Sequence, residues 1–245
     1  MEWVFAVGSA VVVALALALT KPVVDRLGLW STRRGGTPGV RVLVEKEPAK
    51  APLPLIEFTL RYLFPDGCPD PGKPPVRDQD WWSWAHQYGG IDFGITSVLV
   101  TLQALDDTVL VVDPPAVRFD RTEPGPGWLA IPEGVGAGEV LVRRFRVELD
   151  GEDQRVQYSD PDADSPRSAS FTMSKGDTER LLISVVVSEG LYRWTLELPM
   201  VANGRRVART IDDDGQPFRT VHAEGYEERM GHRGDWYPVW KPGDP

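Results

Sequence analysis

The run Tyr192-Arg193-Trp194-Thr195-Leu196-Glu197-Leu198 settles the fold class. Its large apolar side chains fall on alternate residues, with Arg193, Thr195 and Glu197 between them, the period-two signature of a strand with one buried and one wet face. Asn203 and Gly204 follow as a hairpin turn, because both readily adopt the positive φ such turns require. Val207 to Ile211 returns, Asp214 and Gly215 turn the chain again, and Phe218 to Val221 continues the series.

The same alternation extends backwards along the chain. Leu181 to Val187 is continuously apolar, as suits a sandwich-core strand, and Ala169, Phe171 and Met173 alternate with Ser170 and Thr172. Phe145, Val147 and Leu149 alternate with charged neighbours up to the turn residues Asp150 and Gly151. Val109 to Val112 is short and apolar, with Val117 and Phe119 in step beyond Pro114 and Pro115. Val98, Val100, Leu102 and Ala104 alternate with Ser97, Thr101 and Gln103, and Leu99 is the exception; Ile56, Phe58, Leu60 and Tyr62 form the earliest such run. No convincing amphipathic helix follows residue 54. The expectation is an all-β domain, an antiparallel Ig-like β-sandwich over residues 55–225, without the cysteine pair of an immunoglobulin domain.

Ahead of it, residues 3–20 hold 18 positions with no ionisable side chain. As a helix they span about 27 Å, near the thickness of a bilayer's hydrocarbon core. The alternative, a buried helix of the globular domain, fits poorly with uniform apolarity at a terminus. Only Met1 and Glu2 precede the run, so the basic n-region of a cleaved signal peptide is missing and an uncleaved transmembrane anchor over residues 1–24 is expected. Lys21, Arg26, Arg33, Arg34 and Arg41 stand on its C-terminal side, which places the domain in the cytoplasm, a single pass from the cell membrane. The lone thiol of Cys68 agrees with a reducing compartment. Residues 25–54, rich in Gly and Pro, read as a tether in which Val40 to Val44 is a candidate edge strand. Residues 226–245 read as a polar tail carrying Trp236, Tyr237 and Trp240 as docking side chains.

The segments Arg144 to Asp150, Phe171 to Ser174, Tyr192 to Leu198 and Ile211 to Thr220, the last ending Gln216-Pro217-Phe218-Arg219-Thr220, resemble those of uncharacterised actinobacterial membrane-tethered β-domain proteins. Preference for Arg over Lys and a single Asn, Asn203, suit a GC-rich genome of that kind. The resemblance covers residues 95–225 and implies fold and membrane association, with no activity to carry over.

Charge and composition narrow the chemistry. A net charge of −9 argues against nucleic acid, and the runs Arg143, Arg144, Arg146 and Arg205, Arg206, Arg209 read as solvated faces of strands. Three scattered histidines and one cysteine leave no zinc-binding spacing; His222-Ala223-Glu224 has no Cys partners, and no metal or cofactor is expected. The chain contains no GxSxG elbow and no phosphate-binding loop, and Gly134 to Glu139 precedes a strand instead of opening a helix. Asp160 to Ser165 departs from a calcium loop at the turn glycine and at the twelfth position, Phe171. Cys68 lies in a Pro-rich loop with nothing to activate a thiolate for His86.

The unusual local feature is Trp81-Trp82-Ser83-Trp84-Ala85-His86-Gln87-Tyr88. Its aromatics either plug one end of the sandwich or form a binding patch, since Trp and Tyr join large rigid area to a polar handle. Trp81, Trp82, Trp84, His86 and Tyr88 are the candidate ligand- or partner-binding residues. The leading expectation is a non-catalytic, membrane-tethered interaction module with a protein partner. The alternatives are an outward-facing glycan- or envelope-ligand-binding domain using that patch, and a hydrolase built from carboxylates and His86.

Overall fold

In the computed structural model, residues 39–51, 60–133, 142–150, 153–160 and 168–239 are described. The proposed anchor, the first part of the tether, the strand start at Ile56 and Phe58, the Gly134–Glu139 loop, most of the Asp160–Ser165 loop and Trp240 lie outside them. No helix among the described residues is long and apolar enough to cross a membrane.

The chain is mostly β, in two sheets that pack as a sandwich. The first sheet has five strands: β1 (Val40–Glu45), β4 (Ile95–Ala104), β11 (Thr178–Val187), β8 (Arg143–Asp150) and β9 (Asp153–Ser159), in that order. The second has eleven strands and runs β10 (Phe171–Met173), β5 (Leu110–Val112), β12 (Gly190–Ala202), β14 (Phe218–His222), β3 (Ile91–Phe93), β2 (Tyr62–Pro65), β7 (Gly127–Pro132), β15 (Glu227–His232), β16 (Asp235–Pro238). Two further strands of it, β6 (Ala116–Thr122) and β13 (Arg205–Ile211), pair with β12. Among the described residues one α-helix, α1 (Trp81–Gln87), interrupts the strand sequence.

The sandwich core is where alternation places it. Val98, Val100 and Leu102 of β4, Leu181, Ile183 and Val185 of β11, and Phe145, Val147 and Leu149 of β8 meet Tyr192, Trp194, Leu196 and Leu198 of β12. Leu99, the exception in its strand, faces outward, opposite Leu182 in the β4/β11 register, and is buried with it beneath Ala51 and Val142. The candidate edge strand at Val40 to Val44 is β1, which pairs with β4 at one edge of its sheet.

Three features correct the sequence reading. The sheets are mixed, not wholly antiparallel: β8/β11, β3/β14 and β7/β15 run parallel. Period-two alternation assigns faces to a strand and carries no information about its direction. A short helix, α1, is present after residue 54. Residues 227–238, read as tail, are the hairpin β15/β16, which joins the long sheet along β7.

Beyond β14 the long sheet leaves the sandwich and gains its own cover. Tyr62, Phe64 and Ala130 on one face bury against Trp81 and Ala85 of α1, with Trp82, Trp84, Tyr88, Trp128 and Trp236 around them. Leu63, Ile91, Phe93, Leu129 and Val221 occupy the other face, with Leu191 and Tyr226. The seven-residue helix is too short to be stable alone and is held by this packing.

Candidate functional site

Two local features of the chain build a polar site at the seam between the sandwich core and the aromatic core. Helix α1 is closed just beyond its end by Gly89, whose φ of 85° is the left-handed geometry glycine favours, and the Gly90 N–H closes back on Ala85 O at 2.8 Å. The chain then enters β3 directly, bringing His86 over Asp92. At Gly94, with φ 79°, it passes from one sheet to the other: Gly94 N–H donates to Val221 O of β14, while Gly94 O accepts from Val187 N of β11. Asp92 and Thr96 thus stand two residues either side of the crossing, on different sheets.

Asp92 is 3% exposed. It lies opposite Tyr62 of β2 and Thr220 of β14 in the register of the long sheet. Its carboxylate accepts a hydrogen bond from the Thr96 hydroxyl. The Thr96 and Thr220 hydroxyl oxygens are 2.7 Å apart across the two sheets, and the Trp194 indole N–H donates to Thr220 Oγ1 at 2.9 Å. Indole can only donate, so Thr220 Oγ1 accepts from Trp194; between Thr96 and Thr220 either hydroxyl can donate. The Thr96 hydroxyl can also donate to Arg219 O at 3.4 Å.

The other carboxylate oxygen, Asp92 Oδ1, makes no hydrogen bond, although His86 Nε2 is 3.3 Å away. The second ring nitrogen explains why. His86 Nδ1 is 2.8 Å from the Trp82 carbonyl, an acceptor only, so Nδ1 carries the hydrogen. Nε2 then bears a proton only when the ring is cationic. Burial pushes the Asp92 carboxyl up from its usual range; the His86 and Arg219 charges and the Thr96 hydrogen bond oppose this, and the Asp213 charge adds to it.

In front of Asp92 lies a cleft of about 30 Å³, lined by Lys46, Trp82, His86, Asp92, Thr96 and Asp213 among others. That is room for about one or two water molecules. The Trp82 and His86 rings stack at 4.1 Å between centroids. Lys46 Nζ lies 5.8 Å from the Trp82 centroid and pairs with Asp213, and with Asp214 at 2.7 Å. Burial would lower the Lys46 pKa, but the hydrogen bonds and charges of Asp213 and Asp214 prevail and raise it.

The structure divides the five sequence candidates. Trp81 is 2% exposed and belongs to the aromatic core, where Gly231 leaves room for its ring. Trp84 packs edge-on against Trp81 and Phe64 and donates its indole N–H to Pro71 O, and Tyr88 packs on Trp84. Trp82 and His86 line the cleft, and both are half-buried. Cys68 and His86 are not brought together: the Cys68 thiol is turned to Gly89 O at 3.8 Å. Asp92, Lys46, Thr96 and Asp213 escape a reading by sequence alone. The one local signal is a carboxylate set between Ile91 and Phe93 in an apolar run.

His86 Nδ1 is held by the Trp82 carbonyl at 2.8 Å, and Nε2 faces the Asp92 carboxylate at 3.3 Å. Among the described residues no group of three or more His, Cys, Asp or Glu side chains is arranged to hold a metal ion. The sequence matches no known family model, and no curated protein matches it significantly.

Proposed function

We propose that the chain is a single-pass membrane protein whose β-sandwich, Ig-like in architecture, is a non-catalytic interaction module at the cytoplasmic face. The observation that carries this reading is the apolar run at residues 3–20, followed by Lys21, Arg26, Arg33, Arg34 and Arg41. The first strand of the domain starts at Val40. The intervening residues 21–39 reach at most about 65 Å when fully extended, which keeps the module close to the bilayer. The likeness to actinobacterial membrane-tethered β-domain proteins points the same way. Of the aromatic patch, Trp82 and His86 at the cleft rim are the partner-facing residues, and Trp81 and Trp84 serve the core.

Affinity capture of the full chain from membranes tests the reading. Trp82→Ala is expected to lose a co-purifying protein while the domain stays folded. Recovery of the same protein by the Trp82→Ala variant contradicts it.

A second reading rests on the cleft wall, where the Trp82 ring stands beside Asp92 and Asp213, groups suited to a sugar's apolar face and hydroxyls. On that reading the domain faces outward and binds an envelope glycan. Tryptophan fluorescence quenching across a panel of envelope polysaccharides tests it, and a flat response removes it.

A further inference from the structure

The cleft holds more binding capacity for a cation than its resident uses. Lys46 brings one ammonium group, side chain 27% exposed, to the carboxylates of Asp213 and Asp214 and the face of Trp82. Anionic oxygens beside an aromatic face are the elements by which proteins recognise ammonium groups. Behind these lies a third carboxylate, Asp92, buried and with Oδ1 lacking any hydrogen bond. An acceptor left in that state costs free energy that an N–H donor would recover.

We propose that this cleft is a binding site for a primary ammonium group on an unbranched alkyl stem, and that Lys46 is an intramolecular occupant which the incoming amine displaces. The ligand's head sits between Asp213, the Trp82 ring and Asp92 Oδ1. Hydrogen bonding sets the selectivity. An –NH₃⁺ head can donate N–H groups to Asp92 Oδ1 and Asp213, and a quaternary ammonium group has none to donate. The Lys46 charge is already offset by two carboxylates, and the acceptor left without a hydrogen bond in the cleft is Asp92 Oδ1, which faces His86 Nε2 at 3.3 Å.

Displacement does not unfasten the segment that carries Lys46. Ser83 Oγ donates to Glu47 Oε1 at 3.0 Å, so the segment stays tied to α1 when the Lys46 contact is exchanged. The site is independent of which side of the membrane the domain occupies, because only the amine's source changes. A free alkylamine and a lysine side chain of another protein share the recognised chemistry.

The test is calorimetric titration of the full chain in detergent with butylammonium, a lysine-containing tripeptide and tetramethylammonium. Lys46→Met keeps the stem and removes the competing charge. It is expected to bind butylammonium at least about tenfold more tightly than the unaltered chain. Adding Asp92→Asn in that background is expected to reverse at least about tenfold of the gain. Binding of butylammonium alone assigns the source to a free amine; binding of the tripeptide as well assigns it to a protein side chain. The proposal is overturned if folded Lys46→Met shows saturable binding of neither, or if tetramethylammonium competes equally. Should Lys46→Met fail to fold, Asp92→Asn in the otherwise unaltered chain must weaken butylammonium binding, and unchanged affinity overturns the proposal.

Discussion

The two cores that share the long sheet are filled by different means. The sandwich core is largely aliphatic and is built chiefly on four strands of eight to thirteen residues, β4, β8, β11 and β12, that bury Val, Leu and Ile at alternate positions. The core under α1 comes from strands of four to six residues and a helix of seven, and it is aromatic apart from two alanines. Long strands build a core by repetition. Short strands offer few buried positions each, and large rings cover the needed area with few side chains. Where the two meet, neither solution applies, and the seam is the polar cluster of Asp92, Thr96, Thr220 and His86.

If the cores are separate units, their mutants must differ in reach as well as size. Trp194→Ala, in the sandwich core, is expected to cost about 3–5 kcal/mol and to lower protection of the whole domain in hydrogen exchange. Trp81→Ala is expected to cost a similar amount but to expose chiefly the amides of β2, β7 and β15, leaving β11 and β12 protected. Uniform loss of protection in both variants would merge the two cores into one.

A smaller change probes the aromatic core's geometry. A Cβ at Gly231 would stand 2.5 Å from the Trp81 ring and 2.8 Å from Pro74, so Gly231→Ala is expected to destabilise by about 1–3 kcal/mol in chemical denaturation. At the seam, Thr220→Val leaves the buried Trp194 indole N–H without its acceptor, at a cost of about 1–3 kcal/mol, and Thr220→Ser restores most of it.

The subtlest effect is on pH dependence. The Asp92 carboxyl, faced by His86, Asp213, Arg219 and Tyr62, is raised on folding, so the folded state holds its proton more tightly than the unfolded chain does. Its contribution to stability is full below the ordinary aspartate range and is lost as pH rises through the folded value. Asp92→Asn is expected to flatten that part of the stability profile in urea melts across pH. An unaltered slope would show that Asp92 is not the titrating group.

The sandwich was legible in the sequence because its strands are long and alternate cleanly, so Tyr192 to Leu198 or Phe145 to Leu149 identify both strand and buried face. The extension was not. β3 and β2, at three and four residues, are too short to show a period, and β7 and β15 pair across about a hundred residues of chain. His86 stood out through its aromatic neighbours. Asp92, Thr96, Lys46 and Asp213 did not, because only the sheet crossing at Gly94 and the long-range Lys46–Asp213 contact bring them together.

The central claim is that residues 3–20 tether this domain to the cytoplasmic face. Cys68, the lone cysteine and half-buried on a loop, reports on it directly. Intact cells are treated with a membrane-impermeant thiol reagent and compared with lysed cells and with denatured protein, which controls for burial. Labelling only after lysis is the predicted result. Labelling of Cys68 in intact cells contradicts the account and places the domain outside.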